Sequence, residues 1–293
     1  MPTKRSLMTG RDAPSDWWVE TPSGKGSSDE NFPVASRLIA PHLRPHVLAF
    51  YDFVRAADDI ADNPGLDPQD KLTRLDQMEA SLHVDGPLTK PRKLAETFAA
   101  TGVSDTHARN MLSAFRQDAT KQRYSDLVEL WDYCDRSAAP VGKFLVDLHG
   151  EDQRCHNGAA ALANVLQVLN HIQDCQADFL TMNRVYLPQD MLSAHGAQIE
   201  DLRGPALTPS LRAMLDDLLD ACATRMGAAR QLVGEIRTRS FAGETQAIVA
   251  LAARLLARLR NEDPIAGRVK LTKLDFSIAA AQGVGRYLRP RWR

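Results

Sequence analysis

Apolar residues recur with a helical period along nearly the whole chain from residue 41 onward, and this pattern limits the possible folds more than any other feature of the sequence. Proline and glycine interrupt the pattern at intervals, and no β-alternating run exceeds a few residues. The pattern predicts helices over residues 41–62, 68–83, 88–101, 105–121, 125–150, 156–181, 188–194, 208–237, 241–261 and 270–288. No linker divides these segments, so we expect one all-α domain with a central cavity.

The two ends of the chain differ in composition from the helical part. Residues 1–30 are rich in Ser, Gly, Pro and Asp, which predicts a flexible leader before a folded domain over residues 31–288. The last residues, 289–293, form a basic tail in which three arginines surround Trp292. Such a tail is typical of either a solvated end or a peripheral membrane contact, and the sequence leaves both open.

Charge and cysteine usage exclude several classes of function. The net charge of -1 gives no support to nucleic-acid binding, which favours a basic domain. The four cysteines lack CxxC spacing, so neither a disulfide framework nor a zinc site is indicated. The longest apolar run, residues 247–257, is too short to span a bilayer, and the first residues lack the apolar core of a signal peptide, so a cytoplasmic location is expected. No glycine-rich dinucleotide motif is present, and no nicotinamide cofactor is expected.

A first polar cluster lies on the predicted helix 41–62. At about 100° per residue, Tyr51, Arg55, Asp58 and Asp62 share an arc of about 60°. The residues before this cluster are mostly apolar, so it does not belong to an ordinary solvated face.

A second polar cluster has the same i, i+4 spacing on the predicted helix 156–181. Gln167, Asn170, Asp174 and Asp178 fall within an arc of about 80° and again follow apolar residues. His171 shares this arc, and a single histidine there is more typical of a packed core residue than of a ligand.

Four carboxylates on two facing helices predict a magnesium and diphosphate site. Burying these carboxylates as bare anions costs free energy, which a bound cation would offset. Mg²⁺ takes oxygen ligands from one or two carboxylates and from substrate phosphates. Arg55 is available to a phosphate group. Either aspartate pair alone is also explained by a helix surface or a helix end, and a non-catalytic helical scaffold stays an alternative.

These residues resemble a known family. The two aspartate pairs are similar to the first and second DxxxD motifs of the squalene and phytoene synthases, and Tyr133 with the residues that follow resembles the family's tyrosine-bearing kinked helix. The resemblance covers about residues 31–275, and segments 30–36, 184–190 and 270–276 are most similar to the bacterial hopanoid branch. Gln173 stands where many relatives carry arginine, which predicts one positive charge fewer near the diphosphate.

The resemblance implies a Mg²⁺-dependent isoprenoid synthase that converts presqualene diphosphate to hydroxysqualene and releases diphosphate. It implies the metal ligands Asp58, Asp62, Asn170, Asp174 and Asp178, the diphosphate-binding residues Tyr51, Arg55, Gln167 and Asn170, and a catalytic role for the four aspartates and Tyr133. The alternatives left open are the joining of two farnesyl diphosphates on the same fold and, from another class, an all-α nucleotide pyrophosphohydrolase. The number of metal ions and the oligomeric state stay open.

Overall fold

The part of the chain described by a computed structural model, residues 19–21 and 39–289, is helical and contains no β-strand, which confirms the all-α prediction. None of its helices combines the length and the apolar composition needed to cross a bilayer. A 3₁₀ helix, Ile199–Arg203, was not predicted. The α-helices are α1 (Arg44–Asp62), α2 (Pro68–Ala80), α3 (Thr89–Thr101), α4 (Thr106–Asp118), α5 (Leu127–Ser137), α6 (Ala139–Leu148), α7 (Cys155–Met182), α8 (Gln189–Ala194), α9 (Pro209–Glu235), α10 (Arg239–Asn261) and α11 (Lys273–Leu288).

Local capping explains where several of these helices begin and end. The Asp67 side chain accepts a hydrogen bond from the Asp70 backbone N–H at 2.9 Å and so satisfies a free donor at the start of α2. At the start of α11, Thr272 and Asp275 form a reciprocal capping box. Gly102 ends α3 with φ of 72°, a left-handed conformation that glycine adopts without a steric penalty.

The predicted helix 125–150 is two helices rather than one kinked helix. The chain leaves helical geometry at Ala138, and α6 starts at Ala139 with Pro140 in its first turn, where a proline removes no needed hydrogen bond. A Cβ atom on Gly142 would lie 2.6 Å from the Ala159 carbonyl oxygen. Glycine at this position therefore allows α6 to pack closely against α7.

Two large apolar clusters form the core on either side of a cavity. In one, the long helix α7 packs against α9 and α10, and in the other α1 packs against α3 and α4. The cavity lies between the two clusters, with α1 and α7 as facing walls. The central cavity predicted from the sequence is confirmed.

Three residues of the predicted leader are packed rather than flexible. Val19 is 1% exposed within the α1 cluster, Glu20 forms an ion pair with Lys90 at 2.6 Å, and the Thr21 hydroxyl donates to the Asp59 carbonyl oxygen. Val19 packs because its apolar side chain is removed from water there. The rest of the leader, the predicted start of the domain at residue 31, segment 30–36 and residues 290–293 of the tail lie outside the described residues.

Candidate active site

The two predicted polar clusters line one cavity of about 420 Å³. Helix α1 presents its cluster from one wall and α7 presents the other cluster from the opposite wall, as the arcs of the two helices predicted. Tyr133, from α5, contributes a third wall, together with residues of α4. The predicted site residues in the lining are Tyr51, Arg55, Asp58, Asp62, Tyr133, Gln167, Asn170 and Asp178.

Asp174 does not line this cavity but lies beside it. Its carboxylate forms an ion pair with Arg268 at 3.1 Å, on the segment between α10 and α11. The preceding residue, Gln173, is buried, and its amide donates to the Val269 carbonyl oxygen at 2.5 Å. Arg268, from a distant part of the chain, thus places a positive charge beside Asp174, which follows Gln173 in sequence.

Arg55 holds the first carboxylate cluster together. Its guanidinium donates to Asp58 at 2.9 Å and to Asp59 at 2.5 Å, and a third of the Asp58 side chain faces the cavity. Burial and the neighbouring Asp62 raise the pKa of Asp58 well above its ordinary value, although Arg55 opposes this rise.

The carboxylates of α1 and α7 interact across the cavity. Burial, with the like charges of Asp174 and Asp62, raises the pKa of Asp178 to about 7. Because Asp62 belongs to α1 and Asp178 to α7, their mutual repulsion acts between the two walls. A cation between them would relieve this repulsion.

The donor set of the cavity suits Mg²⁺ when a substrate supplies further oxygens. Within the described ranges, no three His, Cys, Asp or Glu side chains come close enough together to hold a metal ion by themselves. Mg²⁺ is usually held by one or two carboxylates and by substrate phosphate oxygens, so a complete protein cage is not required. The excess of like charge near Asp62 and Asp178 is the property of the site that fits such an ion.

A buried hydrogen-bonded network lies beneath the carboxylates. Asp118, which is 4% exposed, accepts from the hydroxyl of Tyr133 at 2.7 Å and from that of Tyr186 at 3.1 Å. Arg184 donates to the Asp62 carboxylate at 2.7 Å and to the Asp118 backbone carbonyl at 2.9 Å. Burial raises the pKa of Asp118 to about 6 even though Arg184 lowers it. The network fixes the rings of Tyr133 and Tyr186 and joins the end of α1 to the segment after α7.

His171 is both buried and part of the cavity wall. Its ring stacks on Tyr186 with centroids 3.5 Å apart, and its Nε2 has no hydrogen-bond partner. Burial and the nearby Arg184 lower the pKa of His171 to about 3, so the imidazole is neutral at physiological pH. His171 is packed against other side chains, as predicted, but it also lines the cavity, which was not predicted.

An apolar extension of about 270 Å³ adjoins the polar cavity. The two spaces share Tyr51, Val54, Val141 and Leu166, and the extension continues between α6, α7 and α10 past Phe50. Its walls are mainly Val, Leu, Ile and Phe side chains, which offer few hydrogen-bond partners. The combined space therefore suits a molecule with an anionic head and a long hydrocarbon tail.

Four residues at the site were not predicted from the sequence: Asp118, Arg184, Tyr186 and Arg268. Arg184 and Tyr186 occur in segment 184–190, which was noted only as a family resemblance. Arg268 carries no local signal, because it reaches the site through a contact between distant segments. A charged residue at the end of an apolar helical face, as at Asp118, is the only available indication.

Comparison with known proteins gives consistent results. The family model described as squalene/phytoene synthase matches residues 26–275. A protein named hydroxysqualene synthase from Rhodopseudomonas palustris is 44% identical over 263 residues, which cover 89% of this chain and 90% of that protein. A protein of the same name from Zymomonas mobilis is 37% identical over 268 residues, with 89% and 90% covered.

Solved structures also share this fold. The crystal structure of a squalene synthase from Alicyclobacillus acidocaldarius has a TM-score of 0.72 and 29% identity, covering 80% of this chain and 89% of that one. A dehydrosqualene synthase solved with a ligand has a TM-score of 0.74 at 20% identity, covering 88% and 91%, and this likeness concerns the fold alone.

Proposed function

Because the chain belongs to the squalene/phytoene synthase family, we propose that it converts presqualene diphosphate to hydroxysqualene and diphosphate in a Mg²⁺-dependent reaction. One observation of the molecule carries the proposal: a cavity lined by carboxylates and arginines continues into an apolar extension. The proteins named hydroxysqualene synthase, at 37% and 44% identity over most of the chain, favour this reaction among those of the family.

The polar end of the cavity is suited to an isoprenoid diphosphate. Arg55 lines it and Arg268 lies beside Asp174, so two segments offer positive groups to phosphate oxygens. The buried Arg184 holds Asp62 in place instead. We assign five residues to Mg²⁺: Asp58, Asp62, Asn170, Asp174 and Asp178. We further assign polar contacts with the diphosphate to Gln167 and Tyr51, which line the same cavity. When bound, Mg²⁺ would stabilise negative charge on the leaving diphosphate.

The reaction balances without a reductant. The bond between the carbinyl carbon and the diphosphate oxygen breaks, and the electron pair leaves with diphosphate. The carbocation rearranges, a water oxygen forms the new C–O bond, and one proton passes from that water to diphosphate or to solvent. The walls of the apolar extension restrict water near the cation, and the ring face of Tyr133, held by Asp118, is positioned to stabilise positive charge.

Product analysis tests this proposal. The purified protein, with Mg²⁺ and without NADPH, is incubated separately with presqualene diphosphate and with farnesyl diphosphate, and the extracted products are identified by mass spectrometry. We expect hydroxysqualene from presqualene diphosphate. Accumulation of presqualene diphosphate from farnesyl diphosphate would assign the chain to the joining reaction instead, and no turnover of either substrate would contradict both assignments.

A matched pair of variants links turnover to the site. Asp58→Asn removes a carboxylate from the cavity, and we expect turnover to fall by about a hundred-fold or more because charge stabilisation is lost. Asp76→Asn changes an aspartate on α2 whose side chain is 68% exposed, and turnover should be unchanged. Equal turnover by the two variants would contradict the assigned role of Asp58 in the reaction.

A further inference from the structure

The outward surface of α11 is apolar although it faces water. Leu274 and Leu288, at opposite ends of the helix, are 67% and 66% exposed, and Val284 is 48% exposed. Phe276 and Tyr287 flank these residues at 39% and 43%. When several large apolar side chains are exposed together on one helix, they usually mark a surface that contacts a partner or a membrane.

The helical arrangement separates a packed side from this apolar side. Asp275, Ala279 and Gly283 are buried and lie within about 80° of one another. The side opposite to them carries Leu274, Ser277, Ala281, Val284 and Leu288, which we call the outward face. Ser277 is the only polar residue among these five, so the outward face cannot be explained as a solvated helix surface.

The charges around the outward face have one sign. In the described segment 270–289 the exposed charged residues are all basic: Lys270, Lys273 and Arg289. Arg286 is turned inward, where its guanidinium donates to the Val233 carbonyl oxygen at 2.9 Å. Asp275 is turned inward, where it pairs with Arg254 and Arg258, each at 2.9 Å. The surroundings of the outward face are therefore complementary to an anionic surface.

Helix α11 also lies next to the apolar extension of the active site. It packs against α10 so closely that a Cβ atom on Gly243 would lie 2.8 Å from the Gly283 carbonyl oxygen. The residues after Gly243, including Thr245 and Ile248, line the apolar extension. Only α10 separates this stretch of α11 from the space suited to a hydrocarbon chain.

We propose that α11 docks on an anionic lipid membrane. The outward face enters the headgroup region, and the basic residues at both ends of the helix contact lipid phosphates. A lipid surface fits better than a protein partner because the apolar residues run the length of the helix and the exposed charged side chains near its two ends are basic. Docking would bring the apolar extension close to the bilayer, and the membrane contact itself does not depend on the proposed reaction.

Vesicle binding by the full-length protein tests the proposal. Vesicles of phosphatidylcholine and phosphatidylglycerol in a two-to-one mixture are compared with vesicles of phosphatidylcholine alone, using flotation. We expect binding to the anionic vesicles only, weakened by added salt. The double variant Leu274→Glu, Leu288→Glu should bind about ten-fold more weakly or worse, because two anchoring side chains are replaced by anions.

Matched controls distinguish docking from loss of the fold. Val128→Glu alters a valine on α5 that is 77% exposed and should bind vesicles as the unaltered protein does. Circular dichroism checks that each variant is folded. Lys273→Gln removes one positive charge and should weaken binding to anionic vesicles about five-fold. Turnover in lipid-free buffer should be the same for every variant as for the unaltered protein. If neither the unaltered protein nor any variant shows turnover, the result contradicts the proposed reaction and leaves the proposed membrane contact unaffected.

Three results would overturn the proposal. The first is that the unaltered protein fails to bind anionic vesicles. The second is that the double variant binds these vesicles as tightly as Val128→Glu does. The third is a dimer of the unaltered protein, seen by sedimentation, that the double variant dissociates, since the outward face would then be an interface between two copies of the chain.

Discussion

Replacing Arg184 with methionine tests whether the buried network holds the active-site wall together. Arg184 is 3% exposed, donates to Asp62 at 2.7 Å and to the Asp118 backbone carbonyl at 2.9 Å, and lies 3.3 Å from the Tyr186 hydroxyl oxygen. Methionine fills a similar volume without a charge. The substitution therefore leaves the acidic groups in place and removes the cation that compensates them.

The expected cost follows from the burial of these groups. Removing one partner of a buried ion pair destabilises a protein by about 3–5 kcal/mol, because the other charge stays buried and unpaired. The Asp62 side chain is 40% exposed, so water offsets part of this cost for the pair with Arg184. Asp118 already carries part of this cost, since a pKa raised from 3.8 to about 6 means that keeping it ionised in the folded state costs about 3 kcal/mol at neutral pH. We expect Arg184→Met to lower the free energy of unfolding by about 3 kcal/mol at pH 8, at the lower end of the range for buried pairs.

The pH dependence has a definite sign. Because the folded-state pKa of Asp118 is raised, the stability associated with its protonated form is present below pH 4 and is lost as the pH rises through about 6. Arg184 lowers the pKa of Asp118, so removing Arg184 extends this loss to higher pH. At pH 5 Asp118 is mostly protonated in both proteins, and the cost of the substitution should be smaller by about 1–2 kcal/mol.

Urea unfolding at pH 5 and pH 8, followed by circular dichroism, measures these values. Arg109→Met is the control, because Arg109 is 47% exposed and its surface ion pairs with Glu79 and Asp105 are worth about 1 kcal/mol or less. The double variant Arg184→Met, Asp118→Asn should recover part of the loss at pH 8. A cost for Arg184→Met that equals the control, or that is larger at pH 5 than at pH 8, would refute the reasoning.

Further expected outcomes concern single contacts and ligands. Tyr133→Phe removes one hydrogen bond to Asp118 and should lower the free energy of unfolding in urea by about 1–3 kcal/mol, with a larger loss at pH 8 than at pH 5. Equal losses at the two pH values would contradict the assigned contact. Gly142→Ala should lower the free energy of unfolding by about 1–3 kcal/mol, because the new Cβ would overlap the α7 backbone. The control Gly227→Ala, whose Cβ would meet nothing within 4 Å, should be neutral or stabilising. A larger loss for Gly227→Ala than for Gly142→Ala would exclude close packing as the cause. Mg²⁺ and inorganic diphosphate together should raise the melting temperature more than the sum of their separate effects, and a purely additive result in calorimetry would argue against a shared site.

Local periodicity was sufficient to predict the helices and both polar clusters. The arcs calculated for Tyr51 to Asp62 and for Gln167 to Asp178 depend only on the helical rise and rotation, and most of the side chains lie in one cavity as expected. The periodicity predicted a single helix over residues 125–150 and did not show that it would end at Ala138. Backbone conformation at the break depends on how α5 and α6 pack against other helices, which periodicity does not report.

Contacts between distant segments were not predictable from local patterns. Arg184 reaches Asp62 across 122 residues, and Arg268 reaches Asp174 across 94. Neither arginine lies in a helical arc with its partner, so no spacing rule connects them. The same limit applies to Val19, which reads as part of a polar leader until the apolar pocket that receives it is known.

The charges of the cavity explain why its residues oppose stability and support binding. Four carboxylates and two guanidinium groups line it, which leaves two more acidic groups than basic ones: Asp58, Asp62, Asp118 and Asp178 against Arg55 and Arg184. The raised pKa values of Asp58 and Asp178 result partly from this excess. An anionic diphosphate adds to the negative charge, so it is expected to bind only together with cations. Carboxylates placed in this way destabilise the unliganded fold, and their retention in such an apolar setting is understandable if they act in binding and catalysis.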